Sequence, residues 1–222
     1  MVAWWPGDHH PNDIRNGNHG TLVGGVGYAQ GRVGQAFSFP NLSSTGSDRV
    51  GLNSGPSANT FTIDAWVFAK EHGPSSYRTI YSDNARGFFL QGGRLNWWSS
   101  NGGARFVGNS ILQIGAWHHI AFSYSSGTFT GYVNGVKEVG ALSLSSPGEF
   151  LPMGLGLGIG GHSNFVPEDF DGLIDEVEIF NRALSVSEIE SIFKAGSAGK
   201  CKTGSLTVTK TLKNLPQPVS GW

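Results

Sequence analysis

Short segments in which apolar and polar residues alternate recur along the chain, and clusters of glycine, asparagine, serine and proline separate them. In the clearest segment, every second residue from Phe61 to Val67 is apolar, which is the period of a strand with one buried face. This pattern is typical of an all-β protein. It predicts strands near residues 3–5, 20–28, 36–39, 49–52, 61–68, 79–82, 87–90, 94–98, 104–107, 117–125, 128–133, 137–141, 155–159 and 172–180.

The strongest turn signal is Asn134-Gly135, which lies between two apolar segments. Asn-Gly supplies the positive φ angles that a type I′ hairpin requires. Ser126 and Gly127 predict a second turn just upstream. Together the two turns predict a three-stranded antiparallel meander from residue 117 to about residue 140.

One short helix is predicted near the C-terminus. Ser185 and Glu188 have the spacing of a capping box, in which each residue satisfies a backbone N–H of the other. An apolar stripe follows at Ile189, Ile192 and Phe193, and Gly196 is a suitable stop. Beyond it the composition changes, so we predict one domain over residues 1–197 and, over residues 198–222, a linker with the possible start of a following domain.

Length and charge narrow the function classes. A chain of 222 residues suits one all-β sandwich with a short extension. The net charge is −1 and the 15 basic residues form no run, so the electrostatic footprint of a nucleic-acid binder is absent. No apolar stretch approaches the roughly 20 residues of a membrane span, which argues against membrane insertion.

Residues 173–185 read LIDEVEIFNRALS. This stretch closely resembles the ending G-x-I-D-E-V-x-I-Y-N-R-A-L-S of bacterial LamG-like jelly-roll domains, which belong to the concanavalin A-like lectin/glucanase superfamily. Four further stretches resemble the same family in the same order: residues 16–22, 34–39, 61–67, and 117–121 leading to 132–135. The resemblance implies an all-β fold, a two-sheet antiparallel jelly-roll sandwich with one short C-terminal helix.

The resemblance also implies a class of function. The family includes lectins, sugar-binding modules attached to enzymes, and adhesins. We therefore expect a non-catalytic carbohydrate-binding module of a larger secreted or cell-surface protein. Its partners would be an oligo- or polysaccharide and other domains of the same chain. The alternatives are an adhesion or spacer domain that binds protein and, less favoured, a glycoside hydrolase.

The N-terminal loop at residues 7–18 is rich in oxygen ligands of the kind that calcium prefers. In relatives of this fold a calcium ion is often held between this loop and the aspartate of the I-D-E-V strand. Matching by motif gives Asp8, Asp13, Asn18 and Asp175 as ligands of a structural Ca²⁺. Alternation with Val177 and Ile179 predicts that Asp175 points inward. The alternative is that Asn, Asp and Gly act here only as turn formers.

Laminarinase-type enzymes on this fold carry three carboxylates on one strand face at steps of two, which supply a nucleophile and an acid/base pair. Here strict alternation puts Glu176 and Glu178 on one face and Asp175 on the other, so the triplet is broken. We expect solvent-facing carboxylates and no catalytic residue. The adjacent His118 and His119 face opposite sides of a strand, one in the core and one on the sheet surface, and cannot chelate one ion together.

Sugar binding requires exposed aromatic rings flanked by amides, carboxylates and arginines. Two segments have this composition, and they give the candidate ligand-binding residues Tyr77, Arg78, Asp83, Asn84, Trp97, Trp98, Asn101, Arg105, His162, Asn164 and Phe165. Trp97 and Trp98 are adjacent on a predicted strand, so one should lie in the core and the other should face outward. The alternative is that both belong to the core or to an ordinary surface.

Overall fold

The computed structural model describes residues 1–40, 48–55, 58–72, 77–82, 86–99, 103–139, 157–162 and 168–199. Its strands form two antiparallel sheets. The eight-stranded sheet I contains, in spatial order, β13 (Val136–Lys137), β12 (Thr128–Val133), β11 (Trp117–Ser125), β6 (Phe61–Ala69), β15 (Gly172–Phe180), β4 (Gln35–Phe39) and β3 (Gly27–Gln30), and β1 (Ala3–Trp5) also pairs with β15.

The seven-stranded sheet II packs against sheet I. Its spatial order is β10 (Gly103–Ile111), β9 (Arg94–Ser99), β8 (Arg86–Gln91), β7 (Tyr77–Ser82), β14 (Gly158–Ile159), β5 (Arg49–Leu52) and β2 (Gly20–Val23). The chain crosses repeatedly between the sheets, because β3, β4 and β6 belong to sheet I and β2 and β5 to sheet II. This arrangement is the predicted jelly-roll sandwich.

The core between the sheets is aromatic at its centre. Trp97 lies 5.4 Å from Phe61, 5.7 Å from Phe122 and 5.2 Å from Phe129 between ring centroids. The alternating residues of β6 from Phe61 to Val67 all belong to this core, as the period-two pattern predicted. Each such aromatic pair adds about 0.5–1.5 kcal/mol beyond the burial of its area, so the centre of the sandwich is a rigid support for both outer faces.

The predicted segment 20–28 is wrong as a single strand. It forms two strands in different sheets, β2 in sheet II and β3 in sheet I, separated by a turn at Gly24 with φ of +73°. A glycine that bends the chain in the left-handed region ends one strand and allows the next to change sheet. The hairpin at Asn134 and Gly135 is confirmed, with φ angles of 51° and 78°.

The helix α1 spans Val186–Ala195, and the short 3-10 turn η1 follows at Gly196–Ala198. Its capping box is present, because Ser185 accepts from the Glu188 N–H and the Glu188 carboxylate accepts from the Ser185 N–H at 2.9 Å. The helix packs on the outer face of sheet I through a small apolar cluster made of Ala121, Tyr132, Phe180, Leu184 and Ile189. The helix therefore covers part of the outer face of sheet I. Among the described residues, no helix is long and apolar enough to cross a membrane.

Candidate functional site

Strand β15 contains a bulge at the I-D-E-V motif. Asp175 pairs with Trp66 and Glu178 pairs with Asp64, so the intervening residues of β15 outnumber those of β6. Glu176 has a φ of +53°, a left-handed conformation that is uncommon for any residue other than glycine. The core-facing residues of β15 are Ile174, Val177 and Ile179.

The bulge overturns the predicted orientation of Asp175. Because it inserts an extra residue, Asp175, Glu176 and Glu178 all face away from the sandwich core. The predictions that Asp175 points inward and lies opposite the two glutamates are therefore wrong. The expectation that Glu176 and Glu178 face solvent is also wrong, because they are only 6% and 1% exposed.

Backbone and ring N–H groups hold two of these carboxylates. Glu176 accepts a hydrogen bond from the Trp4 indole N–H at 2.6 Å, and Asp175 accepts one from the Val33 N–H at 2.8 Å. The first ties β15 to the N-terminal strand, and the second ties it to the turn between β3 and β4. These two hydrogen bonds connect β15, β1 and the β3–β4 turn beneath α1.

A buried Asp64–His119 pair completes this cluster, with 3.0 Å between Asp64 Oδ2 and His119 Nε2. His119 therefore lies on the outer face of sheet I rather than in the sandwich core, yet it is fully buried because α1 covers it. Asp64, Glu176 and Glu178 line a cavity of about 10 Å³, which has room for a single water molecule. A sugar ring cannot enter a space of this size.

His118 lies at the beginning of β11 and is half-buried. Its Nδ1 is 3.1 Å from Asn134 Nδ2, and its Nε2 is 3.1 Å from the Gln113 carbonyl oxygen. Burial is the main cause that lowers its pKa. The residue thus acts as a neutral hydrogen-bonding link between two loops, in agreement with a structural role.

The predicted calcium ligands fall into two groups: Asp13 and Asn18 are hydrogen-bonded to each other, whereas Asp8 and Asp175 contact the same turn between β3 and β4. Asp13 accepts from Asn18 Nδ2 at 3.0 Å and also from the backbone N–H groups of Trp4, Arg15 and Asn18. Asp8 accepts from the Gln35 N–H at 2.9 Å, at the end of the turn that Asp175 also contacts. The described residues hold no group of three His, Cys, Asp or Glu side chains able to bind a metal ion.

The outer face of sheet II carries aromatic and polar side chains on β7, β8 and β9. Trp97 lies in the core, so its neighbour Trp98 faces outward, where it is half-buried. Tyr77 packs edge-on against Phe89, with 5.3 Å between the ring centroids, and hydrogen-bonds to Gln91. Burial raises the pKa of Tyr77, and the nearby Glu168 carboxylate raises it further, so the phenol keeps its proton and can donate it.

Three buried polar oxygens lie on this same face. Thr79 and Asn96 flank Phe89 in one cross-strand row, and Ser82 shares the next row with Gly87 and Trp98. Thr79 Oγ1, Ser82 Oγ and Asn96 Oδ1 are buried and have no hydrogen-bond partner within the described part of the chain. Buried polar atoms normally have a partner. These three residues are 0% exposed, so their oxygens lie beneath the surface of this face, whereas the half-buried Gln91 and Arg94 reach it.

Five of the predicted ligand-binding residues have described side chains: two are outward and half-buried, and three are buried. Tyr77 and Trp98 lie on the outer face of sheet II. Trp97 does not: it is 2% exposed and packed in the core, so its assignment as a ligand contact is wrong. Arg78 and His162 are 8% and 2% exposed, and the Arg78 guanidinium is ion-paired with Glu71.

The remaining predictions cannot be placed at the level of side chains. Asp83, Asn84, Asn101, Asn164 and Phe165 lie outside the described residues, and for Arg105 only the backbone, in β10, is described.

Sequence reasoning missed the residues that share the face with Tyr77 and Trp98. Gln91 and Arg94 pair with each other across β8 and β9, and Asn96 pairs with Phe89. Period-two counting from Trp98 along β9 gives Asn96 and Arg94, so the signal was present in the sequence. Gln91 requires the register between strands, which only the structure supplies.

A family model described as the concanavalin A-like lectin/glucanases superfamily, of laminin G type, matches residues 44–190. The chain belongs to this family. Among curated proteins, no sequence matches it. As a laminin G-type domain it has a fold of the lectin-like binding type, and the two sheets and their order agree with that assignment.

Solved structures with the same fold include sugar- and receptor-binding domains. One is domain 4 of AbnA, a GH43 extracellular arabinanase from Geobacillus stearothermophilus, in complex with arabinotriose; it is 22% identical, with a TM-score of 0.66 over 86% of this chain and 96% of that one. Another is the binding domain of Paraclostridial Mosquitocidal Protein 1, at 18% identity and a TM-score of 0.66 over 87% of this chain and 52% of that one. The receptor-binding domain of botulinum neurotoxin type G is 17% identical, with a TM-score of 0.62 over 87% and 50%. At these identities the likeness is one of fold.

Proposed function

We propose that this laminin G-type domain is a non-catalytic carbohydrate-binding module that binds its glycan on the outer face of sheet II. The observation that carries the proposal is the combination of an outward Trp98 with the half-buried polar side chains of Tyr77, Gln91 and Arg94 on one face. An aromatic ring can cover the apolar face of a sugar ring, and neutral hydroxyl and amide groups can pair with sugar hydroxyls. The arabinotriose complex of the arabinanase domain supports a saccharide as the ligand class.

The proposal that the module is non-catalytic is supported by the position of its carboxylates. Asp175, Glu176 and Glu178 share a face, but they are buried under α1 on sheet I, away from the outer face of sheet II. A glycosidase needs its two carboxyl groups on either side of an accessible glycosidic bond. Release of reducing sugar from any bound glycan, lost in Glu176→Gln or Glu178→Gln, would contradict this proposal.

The decisive experiment compares Trp98→Ala with the wild type on a glycan array and, with arabinotriose as the first soluble probe, by titration calorimetry. We expect the wild type to bind at least one glycan and Trp98→Ala to bind it about tenfold more weakly or not at all, a loss of at least about 1.4 kcal/mol. Trp117→Ala is the matched control. Trp117 is also half-buried on a strand and packs on an aromatic ring, Phe68, but it belongs to sheet I.

Binding of protein is the second candidate function. Val107 and Ile111 are 38% and 61% exposed on β10, and they pair with Asn96 and Arg94 of the same outer face. Exposed aliphatic residues beside aromatic ones are common at protein interfaces. If no glycan binds, or if Trp98→Ala leaves every glycan affinity unchanged, the carbohydrate proposal fails and a protein partner of this surface becomes the better explanation.

A structural calcium ion in the N-terminal loop remains a proposal. It is supported by the contact of Asp13 with Asn18 and by the many oxygen atoms of the loop, since calcium also accepts backbone carbonyl oxygens as ligands. An ion that binds only the folded state raises its stability. We therefore expect the thermal midpoint to fall when EDTA is added and to recover with excess calcium but not with magnesium. An unchanged midpoint would rule out an occupied site.

We also propose that the module belongs to a larger secreted or cell-surface protein. The arabinanase of the solved relative is extracellular, and the toxin domains are binding or receptor-binding domains. Finding the parent protein only in the cytoplasmic fraction would contradict this placement.

A further inference from the structure

The carboxyl group of Asp169 is buried between its own segment, Asp48 at the start of β5, and Gly161. Asp169 is 1% exposed, and its Oδ2 accepts a hydrogen bond from the Asp48 N–H at 2.9 Å. Its Oδ1 is buried without a hydrogen-bond partner in the described ranges. Gly161 lies so close to this oxygen that a Cβ there would be 2.7 Å away. An ionised carboxylate with one buried, unsatisfied oxygen is costly.

The charged groups around Asp169 come from three elements. Asp48 and Arg49 are at the start of β5, Arg78 is on β7, and Glu168 and Asp171 are on its own segment. Burial raises the pKa of Asp169 to about 6, and the Asp48 carboxylate acts in the same direction. The Asp48 N–H and the two guanidinium groups act in the opposite direction. Burial also raises the pKa of Glu168 and of Asp171. The buried His162 follows Gly161 and is the remaining titratable group of these segments.

Asp169 lies at the junction that attaches residues 157–162 and 168–171 to the rest of the molecule. The Phe170 N–H donates to the Gly160 carbonyl oxygen at 2.7 Å, and the Thr79 N–H donates to the Glu168 carbonyl oxygen at 2.8 Å. The Asp48 N–H donates to Asp169, and the Asp48 carboxylate accepts a hydrogen bond from the Gly25 N–H at 2.7 Å. A change at Asp169 therefore acts on both segments and on the turn between β2 and β3.

We propose that the Asp169 carboxyl group is a pH-sensitive contact. When this group is protonated, residues 157–162 and 168–171 are held on sheet II more stably than when it is ionised. The folded state binds this proton more tightly than the unfolded chain does, in which an aspartate has a pKa of about 3.9. The stabilisation is therefore fully present below about pH 4 and is lost as the pH rises through about 6. A difference of about two pKa units changes the unfolding equilibrium constant on the order of 100-fold. This inference does not depend on glycan binding.

The test is urea unfolding between pH 4 and pH 7.5 of the wild type and of Asp169→Asn, which keeps the shape of the side chain but cannot ionise. We expect the unfolding constant of the wild type to increase over this range relative to that of Asp169→Asn by roughly 100-fold. Asp171→Asn is the control, because Asp171 is more exposed, and it should change the pH dependence much less than Asp169→Asn does. Equal pH dependence in the wild type and in Asp169→Asn would overturn the proposal.

A second measurement covers the case in which Asp169→Asn does not fold. The carboxyl carbon of Asp169 in the wild type can be titrated by NMR, and backbone amide exchange in residues 157–162 and 168–171 can be followed at the same pH values. We expect a midpoint near pH 6 and, after correction for intrinsic rates, less protection above it. A midpoint near pH 4, or protection that does not change, would overturn the proposal.

Discussion

The carboxylate of Glu138 shows how much one side chain can do in this fold. It is 7% exposed and accepts hydrogen bonds from the N–H groups of Asn109 and Ser110 at 2.8 and 3.0 Å and from the Ser110 hydroxyl at 2.6 Å. Asn109 and Ser110 belong to β10, the edge strand of sheet II, whereas Glu138 directly follows β13 at the edge of sheet I. The carboxylate therefore joins the two sheet edges and occupies N–H groups that another chain could otherwise pair with.

Replacing Glu138 should destabilise the fold measurably. In Glu138→Gln the charge is lost and only one oxygen remains to accept the three donors, so we expect a loss of about 1–3 kcal/mol in the free energy of unfolding. Urea unfolding at pH 7 measures it. Glu190→Gln is the control, because its exposed ion pair with Lys194 should contribute only about 0.3–0.5 kcal/mol. Equal losses in both variants would show that the Glu138 bonds contribute little.

The I-D-E-V motif shows what single-residue reasoning from the sequence could not supply. Strict alternation along β15 predicted that Asp175 faces the core, and it does not, because Glu176 adopts a positive φ and adds a residue to the strand. Nothing in the residue types announces this bulge, since glycine or asparagine usually marks such a position. In the structure the three carboxylates share one face and are buried. The proposal that the module is non-catalytic therefore depends on their burial and not on a broken triplet.

Individual strands were the most predictable elements. Strands β1, β5, β11, β12 and β15 have the predicted bounds, because turn-forming residues lie at one or both ends of each strand. The helix was equally clear, because its capping box and its glycine stop are local signals. The bounds of an element can be predicted from the sequence where capping or turn-forming residues mark its ends.

The pairing of elements was less predictable, and the candidate site depends on it. Trp98 comes together with Tyr77, Gln91 and Arg94 through the order and register of β7, β8 and β9. Register is set by contacts between residues distant in sequence, which composition and periodicity do not contain. Sequence reasoning therefore found Tyr77 and Trp98 by residue type but also selected Trp97, and it missed Gln91, Arg94 and Asn96.

At the scale of the whole molecule, the N-terminal strand completes the sandwich. Trp5 is buried in the core and Trp4 is buried on the outer face of sheet I, where its indole N–H reaches Glu176. Strand β4 pairs with β15 only as far as Ile174, and β1 pairs with β15 from Val177 to Ile179. The N-terminal strand is therefore part of the same sheet as the last strand of the jelly roll. The predicted boundary of the domain lies near residue 197, within η1.

The need for β1 and the predicted boundary near residue 197 can both be tested by shortening the chain from either side. Loss of one buried tryptophan side chain costs about 3–5 kcal/mol, and a whole domain is stable by only about 5–15 kcal/mol. A variant that lacks residues 1–5 loses Trp4, Trp5 and the pairing of β1, so we expect it to show no cooperative unfolding by near-ultraviolet circular dichroism. A variant that ends at Gly199 should melt within about 3 °C of the full chain. If the second variant also fails to fold, the domain extends beyond residue 199, and if the first melts like the full chain, β1 is dispensable.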